Sequence, residues 1–389
     1  MIRVFLFAQI LAAHQLFATE FIAPLPGPKN PTPLDQFILK GMKNARVPGL
    51  AAISIKEGKI FWSGYYGWAN IEAKKPVTKN TLFQLASISK TITACMIMQQ
   101  VEQGQLELDA DINTLLPFKV RNPKHPDKPI TLRQLLTHAS GIRDNWNVLE
   151  KHWVKNRDFK MPLAKSLLAY LNKGGEFFDA RKNFYTWAPG SKNQYCNVAL
   201  ALAAYAAEAK TKTPFETLCH RGLFKPLGME GTGFLLATVN PKELAMPYAY
   251  RKKTGNFKAL GHHGYLDYPA GTLRATAPNL ARFLLMFMGD GKLGDVRVLK
   301  SDTIKAMRKI QFPKTDNNQG LAWYYERIAG SRMIGHDGSD PGVATQMFCD
   351  PKAGTGIIIL MNGEPKKGAF EKALAQRLLE QVKQDHCLQ

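Results

Sequence analysis

Apolar residues along the chain change period several times, and each change marks a predicted element. After a Pro-rich lead-in over residues 24–33, they recur at helical spacing across 34–44, which predicts an opening helix. Residues 50–56 and 59–66 are rich in β-forming side chains and are separated by Glu57-Gly58, the signature of a hairpin between adjacent antiparallel strands. From Ser87 the helical period returns through Ala94, Ile97, Met98 and Val101, and Gly104 is suited to end that helix.

The middle of the chain reads as mostly helical. Thr131-Leu132-Arg133-Gln134 has the pattern of a capping box, residues 198–209 form an Ala-rich run that predicts a buried helix, and Pro278 opens an amphipathic stretch to 288. Strand patterns resume at 320–328, 333–336, 344–349 and 356–361, with turn signals at Ala329-Gly330 and Lys352-Ala353-Gly354, before a final helix over 370–383. Strands at both ends with a helical insert between them imply an α+β fold: a central antiparallel sheet whose first strands pair with its last, flanked by helices, plus an all-helical lobe. The expected division is an α/β lobe over about 34–80 and 276–389, and a helical lobe over about 81–275.

Composition adds three points. The chain has 389 residues and 45% hydrophobic content, enough for a sizeable core. Met1-Ile2-Arg3 followed by an apolar run over 4–13 resembles a secretory signal, with cleavage expected after Ala18 although Leu16 departs from the small-residue pattern; an exported, periplasmic or secreted protein is expected. No other segment reaches the length of a membrane span. Cys95, Cys196, Cys219, Cys349 and Cys387 are far apart with no CxxC pair, which argues against a zinc ribbon and a disulfide scaffold and leaves room for one disulfide. The net charge of +21 is spread in pairs such as Lys74-Lys75, Arg251-Lys252-Lys253 and Lys366-Lys367, so it reads as a solvated basic surface and not as a nucleic-acid footprint.

Candidate chemistry begins at Ser87, in an S-x-x-K motif at a helix start. At this spacing Ser87 and Lys90 share a face, as a nucleophile and its proton acceptor must, and the helix N-terminus supplies free N–H groups for an oxyanion. Tyr195-Cys196-Asn197 is the second element. A phenol has an ordinary pKa of about 10 and must be brought down by adjacent ammonium groups to act as a base near neutrality. Asn197 is placed to orient Lys90 or to bind a substrate amide. The third element, Gly335-His336-Asp337-Gly338-Ser339, is expected on an edge strand whose free backbone groups bind an acyl substrate, with Gly338 allowing close approach.

In this order the three elements resemble the serine β-lactamase-related superfamily, in the branch of class C β-lactamases, D-alanyl-D-alanine carboxypeptidases and family VIII carboxylesterases. Leu135-Leu136-Thr137-His138-Ala139-Ser140-Gly141, Phe224-Lys225-Pro226-Leu227-Gly228-Met229 and Ala270-Gly271-Thr272-Leu273 agree with it, and the likeness runs from residue 34 to the final helix. The resemblance implies Ser87 as the acylated nucleophile, Lys90 and Tyr195 as its proton-transfer pair, and Asn197, His336, Gly338 and Ser339 as substrate contacts. It also implies an oxyanion hole from the N–H groups of Ser87 and Ser339, a structural His138, and neither metal nor organic cofactor. His336 stands where class C β-lactamases have lysine, and Asp337 follows it, so carboxylate substrates are disfavoured if Asp337 faces the site. Small esters or D-amino-acid amides therefore rank above β-lactams; a penicillin-binding receptor with little turnover is the non-catalytic alternative. With no HExxH segment and no G-x-S-x-G elbow, zinc hydrolases and α/β-hydrolases are disfavoured.

Overall fold

Thr32 and Asp35 cap each other's backbone N–H groups at the start of helix α1 (Pro33–Ala45), so the first element begins where its capping box lies. The computed structural model describes residues 25–365 and 368–384; the signal-like segment, Lys366-Lys367 and Cys387 fall outside them. Strands β1 (Gly49–Lys56) and β2 (Lys59–Asn70) form the expected hairpin, with Glu57 and Gly58 both at positive φ (51° and 68°), the turn that matches strand twist. β2 outruns its predicted end because Trp68 and Asn70 go on to pair with Pro76 and Lys75, and at Gly67, φ 71°, the chain passes close to Pro48: a Cβ there would lie 2.1 Å from the Pro48 carbonyl oxygen.

A seven-stranded antiparallel sheet is completed by β3 (Lys75–Pro76), β4 (Tyr324–Ile328), β5 (Ser331–Asp340), β6 (Val343–Asp350) and β7 (Thr355–Met361), in the order β4-β5-β6-β7-β1-β2-β3. The first strand pairs with the last, Leu50 opposite Met361 and Ile55 opposite Gly356, as expected. β1 and β7 are apolar at almost every position because both faces of the sheet are covered. Leu50, Ala52, Ile357 and Ile359 pack under α1 and the last helix, α5 (Ala369–Gln384). Ala51, Ile53, Ile358 and Leu360 face the larger core, which runs without a break into the insert.

That core is built on α2 (Ser89–Glu102), α3 (Asn197–Thr211) and α4 (Ala277–Met288). Cys196, the N-cap of α3, and the run Val198 to Ala207 are fully or nearly fully buried, and the small alanines let α3 pack closely against its neighbours. The Thr131–Gln134 capping box is present. Two expectations need correction. The lobe expected to be all-helical also carries short ladders, Phe83–Gln84 with Arg274–Ala275, Val154–Lys155 with His263–Gly264, and Tyr248–Arg251 with Asn256–Ala259. The strand expected from 320 begins only at Tyr324, because residues 320–323 turn inward to bury Trp323, which stacks on Phe287 at 3.6 Å and 3°. Cys95, Cys196, Cys219 and Cys349 are buried free thiols, so the described residues contain no disulfide.

Trp323 thus joins the sheet's edge to α4. Replacing it with Ala is expected to lower stability by about 3–5 kcal/mol, read as a fall in the chemical-denaturation midpoint.

Candidate active site

Ser87 lies in a single 3-10 turn, Ala86–Ile88, that leads directly into α2. Ala86 is held at φ 47°, a left-handed conformation that costs a residue with a Cβ about 1–2 kcal/mol, so the surroundings must enforce it. They do so from both lobes. The Leu85 N–H donates to the Leu273 carbonyl at 2.8 Å, and the Ser89 hydroxyl accepts from the Leu273 N–H at 3.1 Å. From the sheet, the Thr345 hydroxyl donates to the Leu85 carbonyl at 2.8 Å. Gly338 lies against the same turn: a Cβ on it would stand 2.4 Å from the Leu85 oxygen, 2.4 Å from Thr345 Oγ1 and 3.0 Å from the Ser87 nitrogen. The glycine therefore admits the nucleophile's own backbone, a closer constraint than the approach of substrate.

Lys90, the second residue of α2, has no solvent exposure. Its Nζ donates to Ser87 Oγ at 3.0 Å and to the Ala270 carbonyl at 2.8 Å. Burial lowers its pKa to about 8, against the opposing pull of Asp144, Asp267 and Asp340, so at pH 7 about one molecule in ten carries the free amine, far more than for an ordinary lysine. The ring of Tyr195 lies 4.7 Å from the same Nζ, and Ser87 is a hydrogen-bond partner of its hydroxyl. Although Tyr195 as a whole is 41% exposed, packing around the phenol, together with Asp337, Asp144 and Asp340, holds its pKa well above the ordinary value. The expected lowering is thus reversed: Lys90 is the group tuned toward neutrality, and Tyr195 stays a neutral hydroxyl.

Asn197 begins α3, but its side chain donates to Asp144 at 2.8 Å and makes no bond to Lys90. Asp144 also accepts from the N–H groups of Asn197 and Val198, capping the helix that presents Tyr195 and Asn197. His138, buried and at φ 59°, accepts from the Cys196 N–H at 3.2 Å through Nδ1, and its ring packs 4.4 Å from that of Tyr195. Through these two contacts it supports the tyrosine loop.

His336 and Ser339 are on β5, which is not an edge strand along its whole length. β4 covers it from Ser331 to Gly335, and only residues 336–340 extend past β4 with one side open. His336 is 3% exposed; burial and the nearby Lys90 lower its pKa to about 4, so the imidazole is neutral. Its Nδ1 donates to the Asp337 carbonyl at 2.5 Å. Asp337 lies at the rim, more than half exposed, and accepts from the Tyr324 hydroxyl at 2.8 Å.

These residues surround one cleft of about 680 Å³ that includes Ser87, Tyr195, Asn197, His336, Gly338 and Ser339 in its wall, with Lys90 beneath Ser87. Asp144, Asp267 and Asp340 were not singled out from the sequence, yet each adjoins a recognisable segment: Asp144 follows Gly141, Asp267 precedes Ala270-Gly271, and Asp340 lies between Gly338 and Gly342. Asp267 and Asp340 are raised by burial to about 7 and about 6 respectively.

A serine and a buried lysine on one helix start, facing a tyrosine across the junction of an antiparallel sheet and a helical lobe, define an active-site-serine architecture. The chain matches the profile of the family described as Beta-lactamase over residues 34–381 and belongs to that family. Among curated proteins it is 31% identical over 226 residues to "Esterase EstB" of Burkholderia gladioli, covering 55% of this chain and 54% of that protein. It is 20% identical over 330 residues to "Protein flp" of Staphylococcus aureus (strain N315), covering 85% and 62%. The matches thus span between about half and three-fifths of these relatives' length. Two solved structures share the fold: the octameric penicillin-binding protein homologue from Pyrococcus abyssi (TM-score 0.72, 24% identity, 90% of this chain and 76% of that one) and D-alanine carboxypeptidase AmpC from Burkholderia cenocepacia (TM-score 0.65, 24%, 90% and 99%).

Because Gly338 touches the turn that carries Ser87, Gly338→Ala is expected to displace the nucleophile by a few tenths of an ångström or more. Acylation of Ser87 by an activated ester, followed by intact-mass spectrometry, should slow about 100-fold while far-UV circular dichroism stays unchanged. An unchanged acylation rate would show that the turn relaxes without consequence.

Proposed function

We propose that the protein is an exported serine hydrolase that forms an acyl-enzyme at Ser87 and acts on small esters or amides that carry no carboxylate. Three kinds of support converge: membership of the Beta-lactamase family, the similarity to an esterase, and the contact of Ser87 with a buried lysine. Export rests on the signal-like segment at the N-terminus. Among the described residues no helix is long and apolar enough to cross a membrane.

In the proposed reaction the free amine of Lys90 takes the Ser87 proton as Oγ attacks the carbonyl carbon. The oxyanion then accepts from the N–H groups of Ser87 and Ser339. Tyr195, neutral and within reach of Ser87, relays a proton to the leaving alkoxide or amine. Water attacks the ester carbon of the acyl-enzyme, returning Ser87 and releasing the acid.

The observation that favours esters over β-lactams or D-alanyl-D-alanine carboxylates is the cleft's charge. Among the described residues its lining contains no lysine or arginine, and the one histidine there is neutral. A substrate carboxylate would meet no exposed cation there and would face Asp267 and Asp340, so removing it from water would go uncompensated.

Two outcomes check this. The kcat/KM for p-nitrophenyl acetate should rise with pH on a limb centred near 8, because only the deprotonated Lys90 accepts the Ser87 proton and its pKa is about 8; Ser87→Ala should remove the activity and Lys90→Met the limb. Turnover that is flat between pH 6 and 10 would count against Lys90 as the base. Benzylpenicillin should acylate Ser87 far more slowly than the ester, and His336→Lys should raise its acylation rate about tenfold by restoring a cation; faster penicillin than ester turnover in the unaltered protein would favour a β-lactamase.

A further inference from the structure

One wing of the cleft has a chemistry that acyl transfer does not use. Trp146 and Trp153 meet edge to face with ring centroids 6.4 Å apart, and Trp153 lies 5.1 Å from Tyr265. All three line the cleft, and Trp146 is 47% exposed. Two buried carboxylates line the same cleft. Asp340 accepts from Gln84 Nε2 at 2.8 Å and from the Tyr265 hydroxyl, so it is fixed in place. Asp267 is 6% exposed and lines the cleft, and the hydrogen bond found for it comes from its own backbone N–H.

Among the described residues neither carboxylate has a cation within ion-pair distance. Lys90 directs its Nζ to Ser87 and to the Ala270 carbonyl, and the described ion pairs include neither Asp267 nor Asp340. Among the described residues five carboxylates, Asp267, Asp316, Glu326, Asp337 and Asp340, line the cleft with no lysine or arginine, although the chain as a whole carries 52 basic and 31 acidic residues. Two of the five, Asp267 and Asp340, are buried where an anion is costly: burial raises both even though Lys90, and for Asp340 also Arg274, attract them from a distance, and a further positive charge in the cleft would relieve them. Aromatic faces beside desolvated carboxylates are the surroundings that bind ammonium groups, through the ring quadrupole and direct charge attraction.

We infer that Trp146, Trp153, Tyr265, Asp267 and Asp340 form a cation subsite, and that the substrate is an ester or amide carrying a primary or quaternary ammonium group. This rests on Ser87 hydrolysis for the word substrate, but the binding of the cation stands on the wall itself.

The test separates the two. Choline and its uncharged isostere 3,3-dimethylbutan-1-ol are titrated by tryptophan fluorescence and calorimetry into the unaltered protein and into Ser87→Ala, Trp153→Leu and Asp340→Asn. Choline is expected to bind at least tenfold more tightly than the alcohol, with the preference kept in Ser87→Ala and falling at least fivefold in each of the other two variants. Acetylcholine should be hydrolysed with a kcat/KM at least tenfold above that of 3,3-dimethylbutyl acetate, mostly through KM. Equal binding of choline and the alcohol, or a preference that both wall variants retain while folded by circular dichroism, overturns the inference. Ser87-dependent hydrolysis of the two acetates at equal rates also overturns it and leaves the hydrolase reading intact. Choline binding that depends on the wall, with no turnover of either acetate, upholds the subsite and removes the hydrolase reading.

Discussion

The close contact between β5 and the turn that carries Ser87 is the constraint on which the site depends. Gly338 has no room for a Cβ against Leu85 and Ser87, and Thr345 on β6 ties the Leu85 carbonyl to the sheet. The sheet thus holds one side of the turn while Leu273, from the insert, holds the other. Ala86 keeps its left-handed conformation because neither side can yield alone. The nucleophile is placed at a seam between two packed bodies, where a cleft can open without removing any part of the core.

Burial then sets the chemistry. A lysine on an exposed helix start would stay protonated far above neutrality, whereas Lys90, with no exposure and only a serine and a carbonyl as hydrogen-bond partners, is drawn down to about 8. The same burial acts in the opposite sense on acids, raising Asp267 and Asp340, and it neutralises His336. One seam therefore yields a usable amine, a neutral imidazole and buried carboxylates that lack an ion-pair partner among the described residues. Their combination makes the cleft hostile to anions in a strongly basic protein.

Asp144 shows how a residue remote in sequence can govern a recognisable motif. By capping α3 it orients the segment that carries Tyr195 and Asn197, and it accepts from the Asn197 side-chain amide, which fixes that side chain against the helix start. His138 adds a second support from the same loop.

Local physics was legible in the sequence. The helical spacing after Ser87, the Thr131–Gln134 box, the Glu57-Gly58 turn and the apolar runs of β1 and β7 each depend on neighbours within a few residues, and so the order of elements and the family resemblance could be read directly. What lay beyond it depended on contacts between distant segments. The start of β4 at Tyr324 follows from Trp323 turning onto Phe287, the open side of residues 336–340 follows from where β4 lies, and the raised phenol of Tyr195 follows first from burial and then from carboxylates more than 50 residues away in the chain. Residue types and spacing determine which groups are available; only the tertiary structure decides which are desolvated together, and desolvation is what sets their charge.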